Sequence, residues 1–371
     1  MYRPPEIEAI RTSVRQFTDR KIKNRQFDRV FDGSPVLLRT KKANEWMKQE
    51  YGKPALKTLF GGFWAEGELC ILFADTNLGK SILAVQIGDS LTKEYSIGPF
   101  DNHVVPGAKV LYLDFELGSK QFESRYVNAQ WGSYLFSDNF YRSEFDSAAI
   151  ADDIYYKNYN DHVNQALDAA ICKLKPTVLI IDNITYMRSG TSNATDALDL
   201  MKSLKALKNK YKLSILVLAH TPKRSNTRPI TVNDLQGSKM LINFADSAFA
   251  IGQSHTKPGL RYLKQIKQRN NREQYGAGNV CLISLETNLN FLQYKFEGYA
   301  HERDHLQQHP TYNREELVQQ ILQLHQSGGS LRKIAKEVGV HFTTVDKILR
   351  ENKQLISSAV IPIAIGTPTT G

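Results

Sequence analysis

The eight residues Ala74-Asp75-Thr76-Asn77-Leu78-Gly79-Lys80-Ser81 constrain this chain more than any other stretch. They follow an apolar run, Leu69 to Phe73, and precede Ser81-Ile82-Leu83-Ala84-Val85-Gln86-Ile87-Gly88, so the order reads strand, loop, helix. Consecutive backbone N–H groups at a helix N-terminus cradle phosphate, a lysine at this spacing reaches the β/γ-phosphates, and the hydroxyl after it binds Mg²⁺. Ala74 stands where the pattern has its first Gly and is small enough to be tolerated there. The expected nucleotide ligands are therefore Ala74, Asp75, Thr76, Asn77, Leu78, Gly79, Lys80, Ser81 and Ile82, with ATP and Mg²⁺ as the groups bound.

The same rhythm recurs downstream. Val110 to Leu113, Val178 to Ile181 and Ile215 to Ala219 are continuous apolar runs, as strands buried on both faces should be. Between the last two, Ala197, Leu198, Met201, Leu204 and Leu207 recur at helical spacing. Ala248 to Ile251, Arg261 to Ile266, Val280 to Leu285 and Leu292 to Phe296 read as further strands. Repeated strand-helix units predict an α/β fold with a mostly parallel sheet covered by helices. The predicted layout is a basic N-terminal region over 1–60, the α/β domain over 61–298, a polar linker over 299–312, a small helical module over 313–353 and a tail over 354–371.

Acids and bases stand at the strand ends. Asp182 closes Val178-Leu179-Ile180-Ile181, where a second carboxylate for Mg²⁺ is needed. Val110 to Leu113 ends in Asp114-Phe115-Glu116, and His220 follows the run Ile215 to Ala219. Lys267-Gln268-Arg269-Asn270 adds a basic cluster, with Lys264 just before it.

Taken with Asp182-Asn183, Gln236-Gly237-Ser238 and Ala245-Asp246, these motifs resemble the RecA-like P-loop ATPases, the family that includes DnaB-type and plasmid RepA-type hexameric helicases and is similar to ATPases of bacterial mobile elements. The resemblance covers Gly61 to Phe296. It implies that Asp182 is the Walker B acid. The water-activating glutamate lies on the strand next to the one before the phosphate loop, where Glu116 fits and Asp114 is the alternative. His220 senses the γ-phosphate. Lys267 and Arg269 reach a neighbouring subunit's nucleotide as the cationic finger, a role open among Lys264, Lys267 and Arg269 because Asn271 replaces the usual Gly. It also implies a homo-oligomeric ring with single-stranded DNA in a central channel. Two loops would line that channel, Arg188 to Thr195 and Thr221 to Leu235, the second carrying Lys223, Arg224 and Arg228.

Ser330 to Leu349 reads as helix, Gly339 turn, helix, with Ala335 small at the crossing and Val345 and Ile348 closing the core. The spacing resembles the helix-turn-helix of resolvases and transcription regulators, in which the second helix enters the major groove of duplex DNA. His341, Thr343, Thr344 and Lys347 are the base-edge candidates. His301-Glu302-Arg303-Asp304-His305 matches a zinc-protease pattern, but it sits in the polar linker and Pro310 ends it, so a catalytic metal is not expected.

Composition narrows the partners. The chain carries a formal net charge of +10, and residues 1–44 hold eleven basic residues against five acidic ones, which favours a polyanion. No apolar stretch approaches the roughly 20 residues a bilayer crossing needs. Cys70, Cys172 and Cys281 lie far apart in apolar runs, which suits packing in the reducing cytoplasm better than a disulfide framework. Two functions fit: an ATP-driven DNA motor, replicative or mobilising, and a DNA-binding regulatory or recombination ATPase that does not unwind.

Overall fold

The computed structural model of the 371-residue chain describes residues 40–103, 106–144, 159–184, 194–222, 224–235, 239–270, 272–307 and 314–352. The chain divides into two compact units, 1–55 and 56–371. The described part of the first holds a short helix, Ala43–Glu50, with no buried residue. Among the described residues no helix is long and apolar enough to cross a membrane.

The second unit is built on a nine-stranded sheet: β1 (Leu69–Ala74), β2 (Val110–Asp114), β3 (Phe140–Glu144), β4 (Val178–Asp182), β5 (Ser214–His220), β6 (Ser247–Gln253), β7 (Leu260–Lys267), β8 (Val280–Asn288) and β9 (Phe291–Ala300). Their spatial order is β9-β8-β7-β6-β1-β5-β4-β2-β3. The six strands from β6 to β3 run parallel, and β7, β8 and β9 extend the edge beyond β6 as antiparallel strands. The fold is thus the expected α/β class with a mostly parallel sheet.

Alternation explains why the central strands are apolar throughout. Leu69, Ile71 and Phe73 of β1, Leu179 and Ile181 of β4, and Ile215 and Val217 of β5 enter one core with Val163, Leu167 and Ile171 of α2 (Tyr159–Leu174) and Met201, Leu204 and Leu207 of α3 (Ala194–Tyr211). The residues between them, Cys70, Leu72, Ile180, Leu216 and Leu218, enter the other core with Leu83, Ile87 and Leu91 of α1 (Lys80–Lys93). Successive side chains of a strand point to opposite faces, so a strand covered on both sides can spare no polar position.

Two expectations need correction. β2, which leads to Glu116, is not the neighbour of β1: β5 and β4 stand between them. Glu116 still reaches the loop after β1, because the backbone N–H of Phe115 bonds the Asp182 carbonyl at 2.7 Å and carries the chain across the end of β4. The linker expected from residue 299 is also not free. β9 runs to Ala300, and Glu302 is fully buried against the sheet, receiving the backbone N–H of Ile230 at 2.8 Å and an ion pair from Lys264. The ionic partner lies 38 positions upstream, which explains why the segment looks like a polar linker in sequence.

Beyond the short helix α4 (Lys239–Phe244), the last described elements, α5 (Arg314–Gln326), α6 (Leu331–Glu337) and α7 (Phe342–Glu351), enclose their own small core of Ile321, Ile334, Ala335, Val338, Val345, Ile348 and Leu349. Gly339 takes φ +69°, the left-handed turn that a side chain would strain.

Gly88 in α1 shows how closely helix and sheet approach. A Cβ there would lie 2.6 Å from the Phe140 ring of β3 and 3.3 Å from Ile180 and Val110. Gly88→Val should therefore destabilise the protein by about 1–3 kcal/mol through overpacking. Urea unfolding checks this, and an unchanged midpoint would contradict it.

Candidate active site

The phosphate loop joins β1 to α1. Asn77 and Gly79 take φ +64° and +74°, and Gly79 caps α1 without any side-chain hydrogen bond. The first N–H groups of the helix therefore have no side-chain partner at this cap, as an anion site requires. Leu78 and Gly79 are braced from the antiparallel edge. The Tyr294 hydroxyl donates to the Leu78 carbonyl at 2.5 Å, while Arg261 donates to that hydroxyl at 2.5 Å and to the Asn77 carbonyl at 3.3 Å. A Cβ on Gly79 would stand 2.3 Å from the Tyr294 oxygen, so only glycine fits beneath the brace. No motif in the sequence marks Arg261 or Tyr294.

Four of the expected catalytic residues meet at the carboxyl ends of the parallel strands. The buried Lys80 ammonium donates to the carbonyls of Ala74 (3.2 Å) and Asp75 (3.3 Å) and to His220 Nδ1 (3.2 Å). On the other side of the ring, His220 Nε2 lies 3.2 Å from Glu116 Oε1 and 2.9 Å from the Asn183 side-chain nitrogen. Asn183 donates to the same carboxylate. The hydrogen bond from His220 and the nearby Lys80 charge hold the Glu116 carboxyl below its ordinary value, against an opposing effect of burial. Burial also lowers the Lys80 pKa, opposed by Asp182, Glu116 and Asp75.

Asp182 is fully buried at the end of β4 and accepts from the Tyr112 hydroxyl at 2.5 Å. Its other oxygen, Oδ1, is buried without a hydrogen-bond partner, and Ser81 lies beside the group. An orphaned carboxylate oxygen next to the loop hydroxyl is the donor set that Mg²⁺ takes, so the residues present fit the cation. Asp114 does different work: it accepts the backbone N–H groups of Glu116 (3.1 Å) and Leu117 (2.9 Å) and pairs with Arg142. Asp114 thus holds the loop on which Glu116 sits.

Other expected residues lie elsewhere. β7 is antiparallel to β6, so Lys267 and Arg269 stand at the end of the sheet opposite the phosphate loop. There Lys267 donates to the Ile242 carbonyl at 2.6 Å, and Arg269 meets Asp246 and the Asn243 carbonyl. Lys264, buried on Glu302 and on the Ile230 carbonyl (2.7 Å), has no free charge to offer as a finger. Arg224 and Arg228, expected as free loop cations, both engage the buried Asp234. That carboxylate needs compensation where it is buried, and the two guanidiniums supply it.

Lys223, Asn271, the 236–238 segment and the first expected channel loop up to residue 193 lie outside the described residues. In the helical module His341 caps α7 and bonds Thr343, Thr344 is exposed, and Lys347 is exposed with Glu351 at 3.8 Å. His305 of the zinc-like pattern bonds Ser254 at 2.7 Å, and Glu302 is the Lys264 partner.

Burial pushes the Asp182 carboxyl up to about 6 from an ordinary 3.8, with Ser81 and Tyr112 holding it partly down. A carboxyl whose folded pKa lies above its unfolded one binds more protons in the native state, so stability falls as pH rises between these two values. Asp182→Asn should therefore raise the stability of the nucleotide-free protein at pH 7.5 by up to about 3 kcal/mol and far less at pH 4. Urea midpoints at the two pH values check the sign, and an equal shift at both would contradict it.

A protein-family model described as AAA domain matches residues 38–226, just over half of the chain. The match spans Lys80, Glu116, Asp182 and His220 and stops before Lys267 and the helical module. No curated protein matches. Among solved structures, a KaiC-like protein from the hyperthermophilic archaeon Pyrococcus horikoshii OT3 is similar at 14% identity, with 64% of this chain and 93% of that one covered and a TM-score of 0.44. With the phosphate loop, its strand-end acids and the family match in agreement, the chain belongs to the AAA domain family, and its core is a P-loop ATPase domain.

Proposed function

We propose that this protein is a cytoplasmic, ATP-hydrolysing DNA motor, a ring-forming helicase of replicative or mobilisation type. The observation that carries the ATPase reading is the convergence of Lys80, His220, Glu116 and Asp182, drawn from four separate strand ends, around one phosphate loop. In the reaction the loop N–H groups and Lys80 hold the β/γ-phosphates, while Ser81 and Asp182 would hold a Mg²⁺ ion, which would supply charge neutralisation at the phosphates. Glu116 accepts a proton from the attacking water. His220, bonded to both Lys80 and Glu116, links phosphate occupancy to the carboxylate.

Ring formation is supported by the position of Lys267 and Arg269. They lie at the far end of the sheet from their own phosphate loop, so a role at a phosphate falls to the loop of a second copy. The net charge of +10 and the helix, Gly turn, helix order of α6 and α7 favour DNA as the partner, with Thr343, Thr344 and Lys347 facing duplex bases. A regulatory ATPase that binds DNA without unwinding it is the second reading, favoured by the self-contained core of that module.

Lys80→Ala should abolish ATP turnover with the fold intact, and Glu116→Gln should leave ATP binding while slowing hydrolysis at least about a hundredfold. Steady-state ATPase rates with nucleotide binding measured in parallel test this, and near-normal turnover in either variant would contradict its assigned role. For the motor, strand displacement by the wild type should depend on ATP and vanish in Lys80→Ala. DNA-stimulated ATPase activity without any displacement would favour the regulatory reading.

A further inference from the structure

The residue that most directly fixes the Glu116 loop comes from a strand the sequence does not announce. We propose that Arg142 of β3 is a positioning residue for ATP hydrolysis, setting through its guanidinium fork the backbone of the Phe115–Gly118 loop and with it the Glu116 carboxylate. This inference rests on the reading of Glu116 as the water-activating group.

Arg142 donates from Nε to one oxygen of Asp114 at 2.9 Å, and its Nη2 forms an ion pair with the same oxygen at 2.9 Å. Nη2 also donates to the Leu117 carbonyl, and Nη1 reaches Glu144 at 3.1 Å and Ser119 at 3.4 Å. The guanidinium lies 4.8 Å from the centre of the Phe122 ring, which holds its plane. The other oxygen of Asp114 takes the N–H groups of Glu116 and Leu117. Asp114 therefore has one oxygen on the loop backbone and the other on Arg142, while Arg142 also grips the carbonyl of Leu117.

These contacts hold the backbone of Glu116 and of Leu117 after it, and none of them touches the Glu116 side chain. Asp114 is buried, with its side chain inaccessible to solvent, so without the guanidinium it would be an uncompensated charge free to rearrange. A planar five-donor fork serves these acceptors at once, whereas a lysine ammonium cannot. Misplacing a reacting group by about 1 Å can cost on the order of a hundredfold in rate without loss of binding.

The test is Arg142→Lys, which keeps the charge and the apolar stem. The expected result is a kcat at least about tenfold lower with KM for ATP and nucleotide affinity within about twofold, and a melting temperature close to that of the wild type. In Arg142→Ala, millimolar guanidinium should restore part of the turnover. Placed on Glu116→Gln, the Arg142→Lys change should add little, because both act on one group.

Wild-type kcat in Arg142→Lys, or a fall in melting temperature with kcat and KM altered together and no rescue by guanidinium, would overturn the proposal. Glu116→Gln measured alongside separates the two levels. Normal turnover there sinks the reading of Glu116 on which this rests, whereas slow turnover with an unaffected Arg142→Lys sinks the positioning role alone.

Discussion

β1, β5, β4 and β2 run parallel with their carboxyl ends along one rim, their crossovers cover both faces of the sheet, and Lys80, His220, Asp182 and Glu116 come to lie on that rim. Lys80 and Asp182 are buried there, whereas His220 and Glu116 keep about a quarter of their side chains exposed. Lys80 and Asp182 are consequently both displaced by burial toward their neutral forms, although they carry opposite charges. The fold holds these groups in an environment that disfavours each alone. A polyanion with a divalent cation would relieve both, since the phosphates compensate Lys80 and the cation compensates Asp182.

Much of the core was legible because two-sided burial leaves a plain mark. Leu69 to Phe73, Val178 to Ile181 and Ile215 to Ala219 are unbroken apolar runs, and each is a central strand. The helical module was legible for a similar reason: Ala335, Val345 and Ile348 follow helical spacing and all three are buried. β3 left no such mark. As an edge strand its sequence Phe-Tyr-Arg-Ser-Glu is only partly covered, so neither the strand nor Arg142 stands out.

Pairing across long distances in the chain was the other blind spot. Lys264 with Glu302 and Tyr294 with Leu78 join residues 38 and 216 positions apart, so a charge such as Lys264 reads as exposed when it is paired. The strand order was hidden for the same reason, since adjacency in a parallel sheet is set by crossovers that pass over intervening strands. The contrast is physical: a local repeat of side-chain chemistry survives in one sequence, whereas a partner chosen by tertiary packing does not.

The buried Glu302 has a bearing on how far the helical module can travel. Because Glu302 is locked onto Lys264 and Ile230, and the Gln307 backbone N–H bonds the Asn226 carbonyl at 3.0 Å, the chain is moored to the sheet until residue 307. Arg314 opens the first helix of the module only about seven residues later, a leash of no more than about 25 Å even at full extension. The module is therefore kept beside the ATPase domain of its own chain.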